Sequence, residues 1–254
     1  GSVDVGLIVE TTPIVFGGEL HRFEAVHVGY HGSVTPGSNY LRFVHVRSGV
    51  SSPPLPDSAG YALGSAYTDG TTVFAFGTFC HADDRCGAAG SNSHIRVWWS
   101  SDMVSWHSKV ALTGSELWNT SVEKGMLNGL AVFVMAIETR VAGAAEFNTM
   151  FATAPDPTGP WKMLDSTHRM PAGVEHACPT IRFVADALGE TGWFYLMTGR
   201  ERSTIECTGN SSTPSSNKFF TEIARSRDLV NWVSAPGMGT ASSRGGMMTP
   251  NASL

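Results

Sequence analysis

Apolar positions in this chain come in short runs. Strand-length stretches recur at Glu19 to Val28, Tyr40 to Val46, Thr71 to Phe79, Ile95 to Trp99, Leu130 to Glu138, Thr149 to Ala154, Trp193 to Thr198 and Phe219 to Ser226. Between them stand Gly, Pro, Asn, Asp and Ser, the residues that build turns. No window sustains a helical period, so the pattern predicts an all-β chain. The longest apolar run, Leu130 to Ile137, is of strand length and falls short of the roughly 20 residues a membrane helix needs.

The runs repeat. Val97-Trp98-Trp99-Ser100-Ser101-Asp102-Met103-Val104-Ser105-Trp106 matches Ile223-Ala224-Arg225-Ser226-Arg227-Asp228-Leu229-Val230-Asn231-Trp232, sharing Ser-x-Asp-aliphatic-Val-x-Trp. A looser third copy runs from Phe151 to Gly159-Pro160-Trp161. The pattern predicts a strand, a tight turn whose Asp side chain caps backbone N–H groups, and a Trp packed back between neighbouring sheets. Units of about 50 residues suit propeller blades. The blades are expected at Leu7 to Val46, with a first strand near Ile14, then Tyr61 to Leu112, Val122 to Leu164 and Val174 to Val233. The tail from Gly237 to Leu254 is too short for another blade, yet Met247-Met248-Thr249-Pro250-Asn251 has the character of a fifth inner strand. The expectation is one domain over residues 1–254, a five-bladed β-propeller with four full blades evident and the fifth incomplete. A true four-bladed ring and a ring completed by a partner segment remain open, since an open ring exposes strand edges.

The dipeptide Val-Glu occurs at Val9-Glu10, Val122-Glu123 and Val174-Glu175, each time where turn-type residues give way to a strand-like run. A carboxylate recurring at the start of the same strand in successive repeats would gather acids around one axis. Paired acids around one pocket are the equipment of glycoside cleavage.

Composition narrows the partners. The 254 residues carry a net charge of -5 with only 15% charged residues and seven Trp, which argues against nucleic acid or an anionic membrane surface as the main partner. Neutral or weakly charged ligands fit better. The chain opens on Gly1-Ser2, which reads as a cloning remnant, and shows no signal peptide, leaving room for a leader upstream. Four cysteines permit pairing as Cys80–Cys86 and Cys178–Cys207, or buried free thiols. Three sequons, at Asn119, Asn210 and Asn251, point with the disulfides to a secreted glycoprotein.

The Ser-x-Asp-Leu-Val-x-Trp blade ending, its Gly-Pro-Trp variant and an acid shortly before Pro at inner-strand starts resemble the five-bladed β-propeller glycoside hydrolases of families 43, 32, 117 and 130. The resemblance covers the chain from about Ile8 to Trp232. In families 43 and 32 it implies three acids converging on the propeller axis. Glu175, four residues ahead of Pro179, matches the proton donor, and Glu10, three ahead of Pro13, occupies the blade-one place. Those families usually have Asp there, one methylene shorter. Glu123 matches the stabilising acid only by its place in the repeat, since no Pro follows it. Family 117 resembles the same scaffold with His as its acid, which makes His176 a candidate pocket residue.

Around these acids, Arg182 and Arg200 are candidates to hold substrate hydroxyls or a carboxylate, or to pair with one of the acids. Trp118 and Tyr195 are candidates for a sugar-stacking wall, set against the blade packing that most aromatics of such a fold serve. Trp106, Trp161 and Trp232 are assigned to packing. His81-Ala82-Asp83-Asp84 reads as a turn rather than a metal site, and His21, His27, His31 and His45 lack zinc-ligand spacing. No phosphate loop, nucleophile elbow or dinucleotide fingerprint is present, and no metal or cofactor is expected. The leading expectation is a glycoside hydrolase acting on a polysaccharide or oligosaccharide, with inversion implied by the family 43 resemblance. The alternatives are a propeller that binds glycans without cleaving them and, more remotely, a polysaccharide lyase. Oligomeric state leaves no mark on the sequence.

Overall fold

The computed structural model describes residues 7–27, 39–79, 92–140, 147–171, 176–189, 191–201 and 219–234. Among them every regular element is a strand: β1 (Leu7–Phe16), β2 (Glu19–His27), β3 (Tyr40–His45), β4 (Tyr61–Thr68), β5 (Val73–Phe79), β6 (Asn92–Ser100), β7 (His107–Ser115), β8 (Leu117–Leu127), β9 (Leu130–Thr139), β10 (Asn148–Ala154), β11 (Lys162–Met163), β12 (His176–Ala185), β13 (Gly192–Glu201), β14 (Phe219–Ser226) and β15 (Val233–Ser234). They form four antiparallel meanders in chain order, β1-β2-β3, β4-β5-β6-β7, β8-β9-β10-β11 and β12-β13-β14-β15. The first strands β1, β4, β8 and β12 pack side by side in that order. Meanders whose first strands gather about one axis are propeller blades.

Three apolar slabs fill the spaces between successive blades. Phe23, Ala25, Leu41 and Phe43 of blade one meet Tyr61, Ala66, Ala75 and Trp98 of blade two. Phe74, Phe76 and Val97 of blade two meet Val122, Phe133, Met135 and Ile137 of blade three. Val134, Ala136 and Phe151 of blade three meet Ile181, Phe194 and Leu196 of blade four. Alternate residues of a strand point to opposite faces, so an unbroken apolar run such as β9 feeds two slabs at once.

The blade endings do what their residues predict. Asp102 Oδ1 accepts the N–H groups of Val104 at 2.8 Å and Ser105 at 2.7 Å, and Asp228 Oδ1 those of Val230 at 2.9 Å and Asn231 at 2.8 Å. These bonds hold the Asp102 carboxyl down to about 2. The Trp that follows reaches the blade before its own. Trp106 stacks on Phe43 with centroids 5.7 Å apart, Trp161 meets Phe76 edge-on at 6.1 Å, and Trp232 stacks on Phe151 at 5.4 Å.

Several expectations need correction. The inner strand of blade three begins at Leu117 rather than Val122, so Val122-Glu123 sits in mid-strand. The three Val-Glu copies are therefore not equivalent by position. Cys178 is a free thiol, so the expected Cys178–Cys207 bridge is not formed; its sulfur faces a polar cluster described below. Asn119, the first residue of a sequon, is buried with its side-chain amide bonded to Glu138, which leaves no place for a glycan. Cys80, Cys86, Cys207, the sequons at Asn210 and Asn251, the segment from His81 to Asp84 and the stretch from Met247 to Asn251 lie outside the described residues. Four blades are described. Among the described residues β12 and β1 do not pack against each other as the other inner strands do.

Candidate active site

Each inner strand slips register against its neighbour near its N-terminal end: between Ile8 and Glu10 in β1, Ala62 and Ser65 in β4, Leu117 and Thr120 in β8, and Ala177 and Thr180 in β12. Such bulges insert an extra residue and re-aim the backbone around it. In two of them the extra residue is left-handed, Leu63 at φ 52° and Cys178 at φ 51°. A non-glycine residue in that region costs about 1–3 kcal/mol and persists only where its surroundings enforce it. Here each left-handed residue turns its N–H toward a buried glutamate: Leu63 donates to Glu10 and Cys178 donates to Glu138.

Glu10 and Glu138 form the centre of the site. Both are buried, at 2% and 4% exposure, and they feel each other's charge. Burial pushes the Glu10 carboxyl from 4.5 up to about 8; the Leu63 N–H works against the shift and the Glu138 charge adds to it. Glu10 Oε2 has no hydrogen-bond partner among the described residues. Glu138 differs in kind. Its Oε2 accepts the Cys178 N–H and the Asn119 Nδ2 amide, the latter at 3.0 Å. Two buried glutamates thus lie close enough to feel each other's charge, each met by the N–H of a left-handed bulge residue. A carboxyl kept protonated by burial beside one that accepts N–H donors is an arrangement able to serve as acid and base.

Two further groups complete this end of the propeller. Cys178, half-buried, sits with Sγ 3.5 Å from Asn119 Nδ2. Burial raises its thiol well above the usual range, and the Glu138 and Glu10 charges add to the effect, so it stays protonated at neutral pH. His176, at the first position of β12, is buried with Nδ1 3.3 Å from Thr198 Oγ1 and 3.8 Å from Glu222 Oε2. Glu222 Oε1 in turn accepts the Ser234 hydroxyl at 2.6 Å.

The residues singled out in the sequence divide. Glu10 and His176 lie in or beside this cluster. Glu123 lies three residues beyond Thr120 on β8, about 10 Å further along the strand. It pairs with Arg182 at 3.7 Å. Burial pushes Glu123 up to about 7 against the pull of Arg182 and the Lys124 N–H, and burial pulls Arg182 down. Trp118 packs edge-on against Phe147 at 5.5 Å and its carbonyl accepts the Thr78 hydroxyl at 2.7 Å. Tyr195 is half-buried in mid-β13, directly across from Arg182. Arg200 pairs with His176 in the β12–β13 register, its side chain being outside the described residues, and so is Glu175.

Sequence reasoning passed over Glu138, Asn119 and Cys178 as site residues. Glu138 left one signal, a single acid closing the otherwise apolar run of β9. Asn119 was hidden inside a sequon, and Cys178 inside a presumed disulfide.

No family model matches the sequence, and no curated protein matches it. Solved structures do match the fold. A thermostable family-43 glycoside hydrolase superposes with a TM-score of 0.53 at 12% identity over 92% of this chain and 76% of its own. An α-L-arabinofuranosidase from Fusarium graminearum, in complex with an iminosugar inhibitor, gives 0.58 at 14% over 90% of this chain and 66% of its own. An endo-1,4-β-xylanase from Bacteroides thetaiotaomicron gives 0.52 at 12% over 92% and 77%. The chain thus spans between 66% and 77% of the length of these proteins. At such identities the likeness is one of architecture: this β-propeller has the fold of these glycan-cleaving proteins.

Proposed function

We propose that the protein is a glycoside hydrolase acting on a polysaccharide or oligosaccharide, with Glu10 and Glu138 as its acid pair. The observation that carries the reading is the burial of two glutamates from different blades close enough to feel each other's charge, with Glu10 pushed up to about 8. Glu10, neutral at pH 7, protonates the departing glycosidic oxygen as the bond to the anomeric carbon breaks. Glu138 takes a proton from the water that attacks that carbon from the other side, so that the configuration inverts. Every proton is accounted for: one passes from Glu10 to the leaving group, one from water to Glu138. The fold shared with glycan-cleaving proteins supports this reading, although fold alone does not assign a reaction.

Glu175 is the proton donor in the reading taken from motif context, and the next residue, His176, starts β12. The two assignments part on one variant, since the donor is the residue whose loss a good leaving group rescues. A panel of neutral and acidic polysaccharides, assayed for released sugar, tests the activity. Release by the wild type, with a loss of about a hundredfold or more in Glu138→Gln, is expected. Glycan binding without release, unchanged in Glu138→Gln, would instead make this a non-catalytic glycan-binding propeller.

The same reading places a fifth blade between blades four and one. The faces of blade three toward blade four, Val134 and Ala136, are fully buried, whereas Trp193, Tyr195 and Met197 on the far face of blade four are only half-covered. An experimental structure with blade four packed directly on blade one would overturn it.

A further inference from the structure

Asn119 occupies a position between the two parts of the site. Its side chain comes from the β8 bulge, at the interface of blades three and four, and it is 8% exposed. A charged carboxylate oxygen only accepts, so the atom 3.0 Å from Glu138 Oε2 must be the amide nitrogen. That orientation commits Nδ2 to Glu138 and leaves Oδ1 as an acceptor, buried and without a partner among the described residues. A second such atom, Glu10 Oε2, belongs to the same cluster, which reaches solvent at half-buried Cys178. A buried acceptor without a donor costs free energy that a ligand can return.

We propose that Asn119 reads the substrate: its Oδ1 accepts a ring hydroxyl of the glycosyl unit held between Glu10 and Glu138. The proposal rests on the glycosidase reading above. A sugar hydroxyl supplies the missing donor. Because the same side chain fixes Glu138, it ties recognition of the hydroxyl to the placement of the base. A site built around a hydroxyl rejects analogues lacking it far more strongly than a site that merely tolerates it.

The test is a cycle of enzyme and substrate changes. The wild type and Asn119→Leu are assayed on the aryl glycoside of the neutral sugar that the wild type cleaves fastest, and on its analogue lacking the hydroxyl beside the anomeric carbon. Asn119→Asp, which keeps the shape, is the second variant, and thermal unfolding identifies any variant that fails to fold. In the wild type, removal of the hydroxyl is expected to lower kcat/KM by roughly tenfold or more, beyond the change in spontaneous hydrolysis. In Asn119→Leu the same removal is expected to have almost no effect. Asn119→Asp is expected to lose activity on both substrates, as a second carboxylate meets Glu138. Equal effects of hydroxyl removal in wild type and Asn119→Leu would overturn the proposal while leaving the glycosidase reading intact. Absence of cleavage of any glycoside overturns both.

Discussion

At the scale of single residues, the protonation of Glu10 is the feature with measurable consequences. Its carboxyl titrates near 8 in the folded chain and near 4.5 when exposed. Between those values the folded state holds a proton that the unfolded state has released. Stability contributed by this proton is therefore full below about pH 4.5 and drains away by up to about 1.4 kcal/mol per pH unit as pH rises towards 8. Glu10→Gln should flatten that decline and raise the midpoint of urea unfolding at pH 8 relative to the wild type. An unchanged pH slope would show that Glu10 is ionised in the fold. A second residue-scale prediction concerns Arg182→Met, which strips Glu123 of its counter-charge. Unfolding at pH 8 should become easier by about 1–2 kcal/mol, since the pair is partly screened by solvent, and Arg182→Lys should restore part of the loss. Glu10 was legible in the sequence because an acid near Pro at the start of a strand is a conspicuous pattern. Glu138 was not, because a lone acid at the end of an apolar strand looks like the place where a strand meets solvent. Only the approach of blade four, with its left-handed Cys178, makes that position an interior one.

At the scale of elements, the blade endings were readable in full and the inner-strand beginnings were not. Ser-x-Asp-aliphatic-Val-x-Trp is a local device: the Asp bonds the next N–H groups in sequence, so residue order alone specifies it. The Trp at its end reaches across to the preceding blade, and that contact is a stability prediction. Trp232→Ala removes the stack on Phe151 and should cost about 2–3 kcal/mol in equilibrium unfolding. Trp232→Phe should recover much of it; full stability in the Ala variant would mean the stack is incidental. The inner strands begin with polar residues that face one another inside the ring. Asn119, Thr120 and Ser121 have the composition of a loop, yet they are buried in β8 and its bulge. That is why the strand was expected five residues too late, and why Val122-Glu123 was taken for an equivalent of Val9-Glu10. Composition reports on polarity; it does not report whether the polar face is met by water or by another blade.

At the scale of the whole molecule, period and sequence order were enough to predict a propeller, because a meander of about 50 residues with a packing Trp at each end has few other ways to bury both faces. Blade number is set by how the first and last blades meet, which is a property of the closed ring and of no local pattern. The secretory reading rested partly on Cys178 and Asn119, and both are now interior groups of the candidate site. The central claim joins these scales: β1 and β9, with the bulges of β4, β8 and β12 around them, bring Glu10 and Glu138 together as acid and base. It is tested most directly by kcat/KM on aryl glycosides of one sugar with good and poor leaving groups, in the wild type, Glu10→Gln, Glu138→Gln and Glu175→Gln. The account predicts that Glu10→Gln keeps activity on the good leaving group and loses about a hundredfold or more on the poor one, while Glu138→Gln loses both. Rescue of Glu175→Gln instead of Glu10→Gln, or full activity in Glu138→Gln, would contradict it.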